Sequence, residues 1–245
     1  MSTVLCLPFA GAGAGFYRAW QPPAGALSVT AVQLAGREER FSEPAATSVA
    51  EAVQALVREA EELLSQARSA GGLAVFGHSM GAVLAFELVR TVEQTSPGSV
   101  RHLFVSGSPA PHRQRDQHAS WLDDDAFAAR VEEFAGYRHP AFDDPEMREL
   151  LLPLLRADVE MHESYHAADG ARVSVPVTAL RGCDDHLVDV ADLRGWSRVA
   201  DDLVIEELPG GHMYLADDPA ALYEVLERNL QRDSHGAGPG VASSW

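Results

Sequence analysis

One stretch constrains this 245-residue chain more than any other: Leu73–Phe76 (LAVF), then Gly77-His78-Ser79-Met80-Gly81, then AVLAFELVR. The short apolar run reads as a buried strand, and the run after it reads as a helix from about Met80 to Val92. Gly77 and Gly81 leave room for strand and helix to approach closely. Ser79 is thereby forced onto a sharp turn with strained backbone angles, its hydroxyl raised above the sheet edge. The first N–H groups of the helix then point at whatever negative charge develops beside that hydroxyl.

The rest of the chain repeats the strand-then-helix pattern. Strands are expected at Val4–Leu7, Ser28–Leu34, Leu73–Phe76, His102–Val105, Val175–Leu180 and Leu203–Leu208, most bounded by Gly, Pro, Ser or Asp. Such runs read as strands buried in a parallel sheet. Ser48 and Glu51 have capping-box spacing, and the apolar positions from Val49 to Ala67 recur at helical period. A last helix is expected from Pro219, with Asp218 as its N-cap, to about Arg232. Strands alternating with helices give an α/β fold, a mostly parallel central sheet flanked by helices.

Residues 109–170 break that rhythm and contain no convincing strand. Phe127, Val131 and Phe134 mark one helical stripe. Met147, Leu150, Leu151, Leu154 and Leu155 mark another, in which Pro153 predicts a kink or two short helices. This segment reads as a helical lid inserted into a core made of residues 1–108 and 171–232. The tail 233–245 is expected to be disordered.

Length and an apolar content of 46% suffice for one sizeable core. Nineteen Lys and Arg against thirty-six Asp and Glu leave a formal charge of −17. That argues against nucleic-acid binding and against docking on an anionic membrane. The two cysteines, Cys6 and Cys183, match neither a disulfide framework nor a metal site. With no secretory signal pattern and no long apolar run, a reducing cytoplasm fits best. The glycines of residues 8–15 (PFAGAGAG) lack dinucleotide-binding spacing, and no H-E-x-x-H occurs. No cofactor and no metal are expected.

A serine hydroxyl needs a base. Among ten histidines, His212 stands out because Pro209-Gly210-Gly211 lead into it directly after the last strand pattern. His78 is expected to point away from the Ser79 hydroxyl. His112, His118, His139, His162 and His166 fall in the lid segment, where they either line a mouth or lie on the surface, the latter preferred. The base needs an orienting carboxylate. The strand ending near Leu180 runs into Arg181-Gly182-Cys183-Asp184-Asp185, so Asp184 and Asp185 compete, with Asp185 preferred. Ser79, Asp185, His212 is the chain order of α/β-hydrolases. The oxyanion hole is expected from the backbone N–H of Met80 and of Ala10, with Phe9 as the neighbouring alternative.

The ordered pieces LCLPFAGAGAGFYRAW (5–20), LAGREERFSEP (34–44), FGHSMGAVLAFEL (76–88), LFVSGSPAPH (103–112), LLPLLRADVEMHESY (151–165), RGCDDHLV (181–188) and LPGGHMYL (208–215) together resemble the stand-alone type II thioesterases of polyketide and nonribosomal peptide synthases. The resemblance implies that Ser79, Asp185 and His212 form the catalytic triad, and that the Ala10 and Met80 amides form the oxyanion hole. It implies hydrolysis of acyl groups from the phosphopantetheine arm of acyl or peptidyl carrier proteins, clearing misprimed or stalled carriers. A monomer is the default expectation. Phe9 stands where many members carry His, and His186 where many carry Pro. Carrier proteins are usually acidic, as this chain is, so docking is expected to use a locally basic or apolar surface, with Arg18, Arg37 or Arg113 as candidate positive groups. Two rivals remain: a small-molecule carboxylesterase or lipase on the same fold, and a non-catalytic carrier-binding module.

Overall fold

The structure, a computed structural model, describes residues 2–113, 118–135 and 140–236. Six strands form one sheet: β1 (Ser2–Leu7), β2 (Leu27–Ala31), β3 (Leu73–His78), β4 (Val100–Ser106), β5 (Val177–Gly182) and β6 (Leu203–Leu208). Their order is β2-β1-β3-β4-β5-β6, and every neighbouring pair is parallel. Nine α-helices are described: α1 (Ala14–Arg18), α2 (Val49–Glu59), α3 (Glu61–Ser69), α4 (Met80–Thr95), α5 (Asp124–Ala135), α6 (Pro145–Glu163), α7 (Val190–Arg194), α8 (Tyr214–Asp217) and α9 (Pro219–Gly236). None of them is long and apolar enough to cross a membrane.

Alternation along the strands builds two cores. Leu5, Leu7, Leu73, Val75, Leu103 and Val105 face one layer, with side chains of α2, α4 and α7. Val4, Cys6, Ala74, Phe76, Phe104 and Leu180 face the other, with Tyr17 of α1 and Leu222, Leu226 and Leu230 of α9. With both faces covered, the strands carry no polar stripe, which is why they read as continuous apolar runs. Helix α4 is buried on nearly all sides from Met80 to Val89, as befits an element wedged against the centre of a sheet.

Parallel strands send their carboxyl ends to one edge. There the chain turns one way from β1 to β2 and the other way from β3 to β4, leaving a crevice between β1 and β3. Ligands of open α/β sheets bind at such a switch point. The loop after β1 and the turn after β3 both open onto it.

Several local expectations need correction. Strand β2 stops at Ala31, three residues short, because the Gln33 N–H is drawn to Glu59 Oε1 at 3.3 Å. The helix expected from Val49 to Ala67 is two helices, broken at Ala60 with φ −89° and ψ 1°. Ser48 Oγ does accept the Glu51 N–H, at 3.2 Å, but the Glu51 carboxylate returns to the Thr47 N–H at 2.9 Å instead of closing a reciprocal box. Asp218 accepts the Ala220 N–H at 3.0 Å, as an N-cap does. Helix α9 continues to Gly236, because Asp233 Oδ2 lies 2.8 Å from the buried His102 Nδ1. The tail expected from 233 therefore begins as helix, and residues 237–245 lie outside the described residues.

Between β4 and β5 the described residues hold only helices. Pro153 neither splits nor ends α6, which runs unbroken for 19 residues. Proline costs a helix the bond to the carbonyl four residues back. Here both Pro153 and Glu149 are exposed, so the freed carbonyl lies on the solvent face of the helix. The inward stripe is also shifted. Met147 and Leu150 are exposed, while Leu152 and Leu155 join Ala119, Phe127 and Ala128 in a small third core. The side chain of Phe134 lies outside the described residues.

Candidate active site

Ser79 takes φ 52° and ψ −119°, a conformation that side chains rarely adopt. It is held there from both sides: its N–H donates to Ser106 O at 2.8 Å, and its carbonyl accepts the Ala82 N–H at 3.0 Å. The flanking glycines are needed for close approach. A Cβ on Gly77 would stand 1.9 Å from Gly81 O, and one on Gly81 would stand 2.7 Å from Leu7 O. Met80 opens α4, so its N–H has no acceptor within the helix.

The second component comes from the edge formed by β5 and β6. Asp185 is 4% exposed, whereas its competitor Asp184 is exposed to solvent. Asp185 Oδ2 lies 2.9 Å from His212 Nδ1, and Oδ1 accepts the N–H groups of Leu187 at 2.8 Å and Val188 at 3.3 Å. Burial works to raise the Asp185 pKa. The hydrogen bond and charge of His212, with the two backbone N–H groups, outweigh it and hold the carboxyl below its usual range. An ionised Asp185 can only accept, so the bond to it makes His212 Nδ1 the donor and leaves Nε2 for the Ser79 side. The loop of His212 lies hard against β5. A Cβ on Gly182 would meet Gly211 O at 2.2 Å and Gly210 O at 2.3 Å.

Ser79 and His212 line one cavity of about 390 Å³, together with Phe9, Ala10 and Gly11 of the loop after β1. The helices between β4 and β5 line it too: Val131 from α5, and Leu151, Leu154, Leu155 and Val159 from α6. Ser79, His212 and Ala10 thus line the same cavity, Met80 follows Ser79 in the chain, and Asp185 bonds His212 through Nδ1. His78 turns away from the cavity as expected. It is buried, its Nδ1 lies 2.9 Å from Ser106 Oγ, and Ser106 Oγ lies 2.7 Å from Tyr214 Oη. Burial and the nearby His212 ring, 4.7 Å away between centroids, lower the His78 pKa well below its ordinary value. A neutral His78 places no second positive charge beside His212.

Some side chains at the site were not legible beforehand. His162, read as a surface residue, lines the cavity with Glu38, Glu132 and Glu163. Glu163 accepts the Ala119 N–H at 2.6 Å and the Ser120 hydroxyl at 2.6 Å, fastening the lid segment to α6. Arg37, read as a surface docking group, is 5% exposed and paired with Asp158. Arg18 and Arg113 are at the surface, but each is paired, with Glu39 and Asp192. Of the other lid histidines, His118 stacks on Trp121 and His166 is exposed, while His139 lies outside the described residues. Among the described residues no cluster of His, Cys, Asp or Glu is suited to a metal ion.

A strained serine at the switch point of a parallel sheet, lining one cavity with an imidazole held by a buried carboxylate, defines the class: a serine hydrolase of α/β-hydrolase architecture. Within it the chain belongs to the thioesterase family, whose domain model matches residues 2–230. It is 34% identical to thioesterase PikA5 of Streptomyces venezuelae over 216 residues, which cover 87% of this chain and 75% of PikA5. It is 32% identical to the gramicidin S biosynthesis protein GrsT of Aneurinibacillus migulanus over 235 residues, 93% of this chain and 88% of GrsT. Among solved structures, the type II thioesterase BorB from the borrelidin biosynthetic cluster superposes with a TM-score of 0.76 at 33% identity, covering 94% of this chain and 92% of BorB.

If Asp185 orients His212, replacing its charge while keeping its shape should disable the base. Asp185→Asn is expected to lower kcat by about 10,000-fold, because an amide stabilises the wrong imidazole tautomer. Steady-state kinetics on any substrate the protein accepts tests this. A loss under about tenfold would assign the orienting role elsewhere.

Proposed function

We propose that this protein hydrolyses acyl thioesters on the phosphopantetheine arm of acyl or peptidyl carrier proteins in a modular synthase, removing aberrant or stalled acyl groups. The observation that carries the reading is the cavity at Ser79. It is a largely apolar cavity of about 390 Å³ lined in part by α5 and α6, suited to an acyl chain delivered by its thioester end. Family membership and the biosynthetic relatives support the carrier as the source of that thioester.

In this reading His212 Nε2 takes the Ser79 proton as Oγ adds to the thioester carbonyl. The Ala10 and Met80 amides hold the oxyanion, and losing one such donor typically costs about 3 kcal/mol. The C–S bond breaks, and the proton on His212 leaves with the sulfur as the carrier thiol. Water then gives a proton to His212 and its hydroxyl to the acyl carbon. Collapse of the second tetrahedral intermediate releases the acid and returns the proton to Ser79. Asp185 stays ionised throughout and steadies the transient imidazolium. The chain's own residues supply every group these steps use, with no cofactor.

The test is a panel of acetyl, propionyl, malonyl and longer acyl thioesters on a carrier protein, beside oxygen esters of the same acids. Carrier thioesters are expected to turn over at least tenfold faster in kcat/KM than the matched esters. Turnover of the esters with no release from any carrier would reassign the protein as a small-molecule esterase. Failure of a serine-reactive phosphonate to label Ser79 would favour a non-catalytic binding module.

A further inference from the structure

Arg37 and Asp158 are 121 residues apart in sequence, and the proposed steps use neither. Arg37 follows β2, and Asp158 lies in the C-terminal third of helix α6. Their side chains form a two-pronged ion pair, Nη1–Oδ2 and Nη2–Oδ1 both at 2.7 Å, with exposures of only 5% and 2%. The same atoms reach further. Asp158 Oδ2 also accepts the Gly11 N–H at 2.8 Å, and Arg37 Nη1 also donates to Ala12 O at 3.0 Å. The pair therefore grips the two residues that follow Ala10, holding an N–H of one and a carbonyl of the other. Ala10 itself packs against the lid core. From the adjoining position, the Glu38 carboxylate accepts the Gly15 N–H at 3.1 Å and fills the space beside Gly13.

Stability alone is a poor reason for this pair. Burying two charges costs desolvation that their attraction seldom more than repays, and apolar replacements of both partners are often neutral or better. The pair is not even optimised, since Arg37 Nε has no hydrogen-bond partner among the described residues. What an apolar pair would not do is hold the Gly11 N–H and the Ala12 carbonyl in fixed directions. We propose that Arg37 and Asp158 are positioning residues for the oxyanion hole, aiming the Ala10 N–H at the carbonyl oxygen and making that aim depend on the seat of α6. The inference rests on the hydrolytic reading above, in which the Ala10 amide is an oxyanion donor.

Three variants of the full-length protein test it, with Asp158→Leu alone as a stability reference: Asp158→Asn, Arg37→Lys and the double substitution Arg37→Met with Asp158→Leu. The asparagine keeps an acceptor for Gly11 but loses the charge. The lysine keeps the charge but lacks the fork that reaches Asp158 and Ala12 together. Active sites are counted by phosphonate labelling run to completion, so unfolded molecules do not dilute kcat. All three are expected to lose about 10- to 100-fold in kcat per active site, with KM within about threefold, because the donor is displaced and not deleted. The rate constant for phosphonylation of Ser79 should fall in parallel, since that reaction also develops an anionic oxygen.

The double variant separates aim from stability. It should unfold at a higher temperature than Asp158→Leu alone, which strands a buried guanidinium, yet it should not recover kcat. Recovery of kcat per active site together with melting temperature would overturn the proposal and leave the pair a structural tie. A double variant too unstable to purify leaves the decision to Asp158→Asn and Arg37→Lys, and wild-type kcat per site in both would overturn it equally. Wild-type protein inert toward every thioester would refute the hydrolytic reading separately, and the phosphonylation rates would still decide the pair.

Discussion

Ser79→Ala is expected to lower turnover by about a million-fold, and His212→Ala by a comparable factor, with the double variant no worse than either alone. The losses do not add because the two side chains act as one unit: without the base the hydroxyl is a weak nucleophile, and without the hydroxyl the base has no proton to take. The backbone around Ser79 makes it a demanding test. The residue pays for its conformation with strain, at φ 52°, which the Ser106 carbonyl and the first turn of α4 hold in place. Such strain persists at functional sites because surrounding structure overrides it. Alanine tolerates that conformation no worse than serine, so Ser79→Ala should melt within a few degrees of wild type while losing activity. Steady-state release from the best carrier thioester, with melting curves alongside, measures both. Residual turnover above about 1% of wild type would mean that water is activated directly and that no acyl-serine forms.

The residues proposed to carry this chemistry were legible because local rules place them. Gly77 and Gly81 announce the turn at Ser79, and Pro209-Gly210-Gly211 announce the loop of His212. Asp185 could be preferred over Asp184 because it leaves the strand three residues before the apolar Val188, and a residue anchored there is turned inward. The six strands were legible for a related reason. Both faces of the sheet are covered, so each strand is a compact apolar run and only its ends were open to error.

What escaped has no local signature. Arg37 and Asp158 meet across 121 residues, and an arginine in a polar segment reads as solvated because most arginines are. His162 belongs to the cavity only because α6 crosses the sheet edge at one particular rotation. The break at Ala60 carries neither Gly nor Pro. Apolar positions on either side keep helical spacing, so periodicity runs straight through it. Pro153 misled in the opposite sense, since its cost depends on which face of the helix it occupies and not on its presence.

The largest stability effect is expected where two backbones touch. Gly77→Ala would set a methyl group 1.9 Å from the Gly81 carbonyl oxygen, and Gly182→Ala would set one 2.2 Å from that of Gly211. Neither glycine has a positive φ, so what each supplies is the missing Cβ alone. The obstructing atoms are main-chain, so no rotamer change gives relief, and either the strand or its neighbouring turn must move. Each substitution should cost more than about 4 kcal/mol, the range reserved for a broken core or backbone contact. For a chain of this size that is a fall of about 10 °C or more in melting temperature. Gly211→Ala is the matched control: it lies on the other side of the same contact as Gly182, a Cβ there meets nothing within 4 Å, and its φ is not positive. It should melt within a degree or two of wild type. Thermal unfolding followed by circular dichroism distinguishes them. If Gly182→Ala and Gly211→Ala melt together, the two turns have slack that the geometry denies. If they separate as expected, the tight contact between β5 and the loop of His212 is what holds the base in reach of its carboxylate, and any folded Gly182→Ala protein should lose activity because Asp185 and His212 are pushed apart.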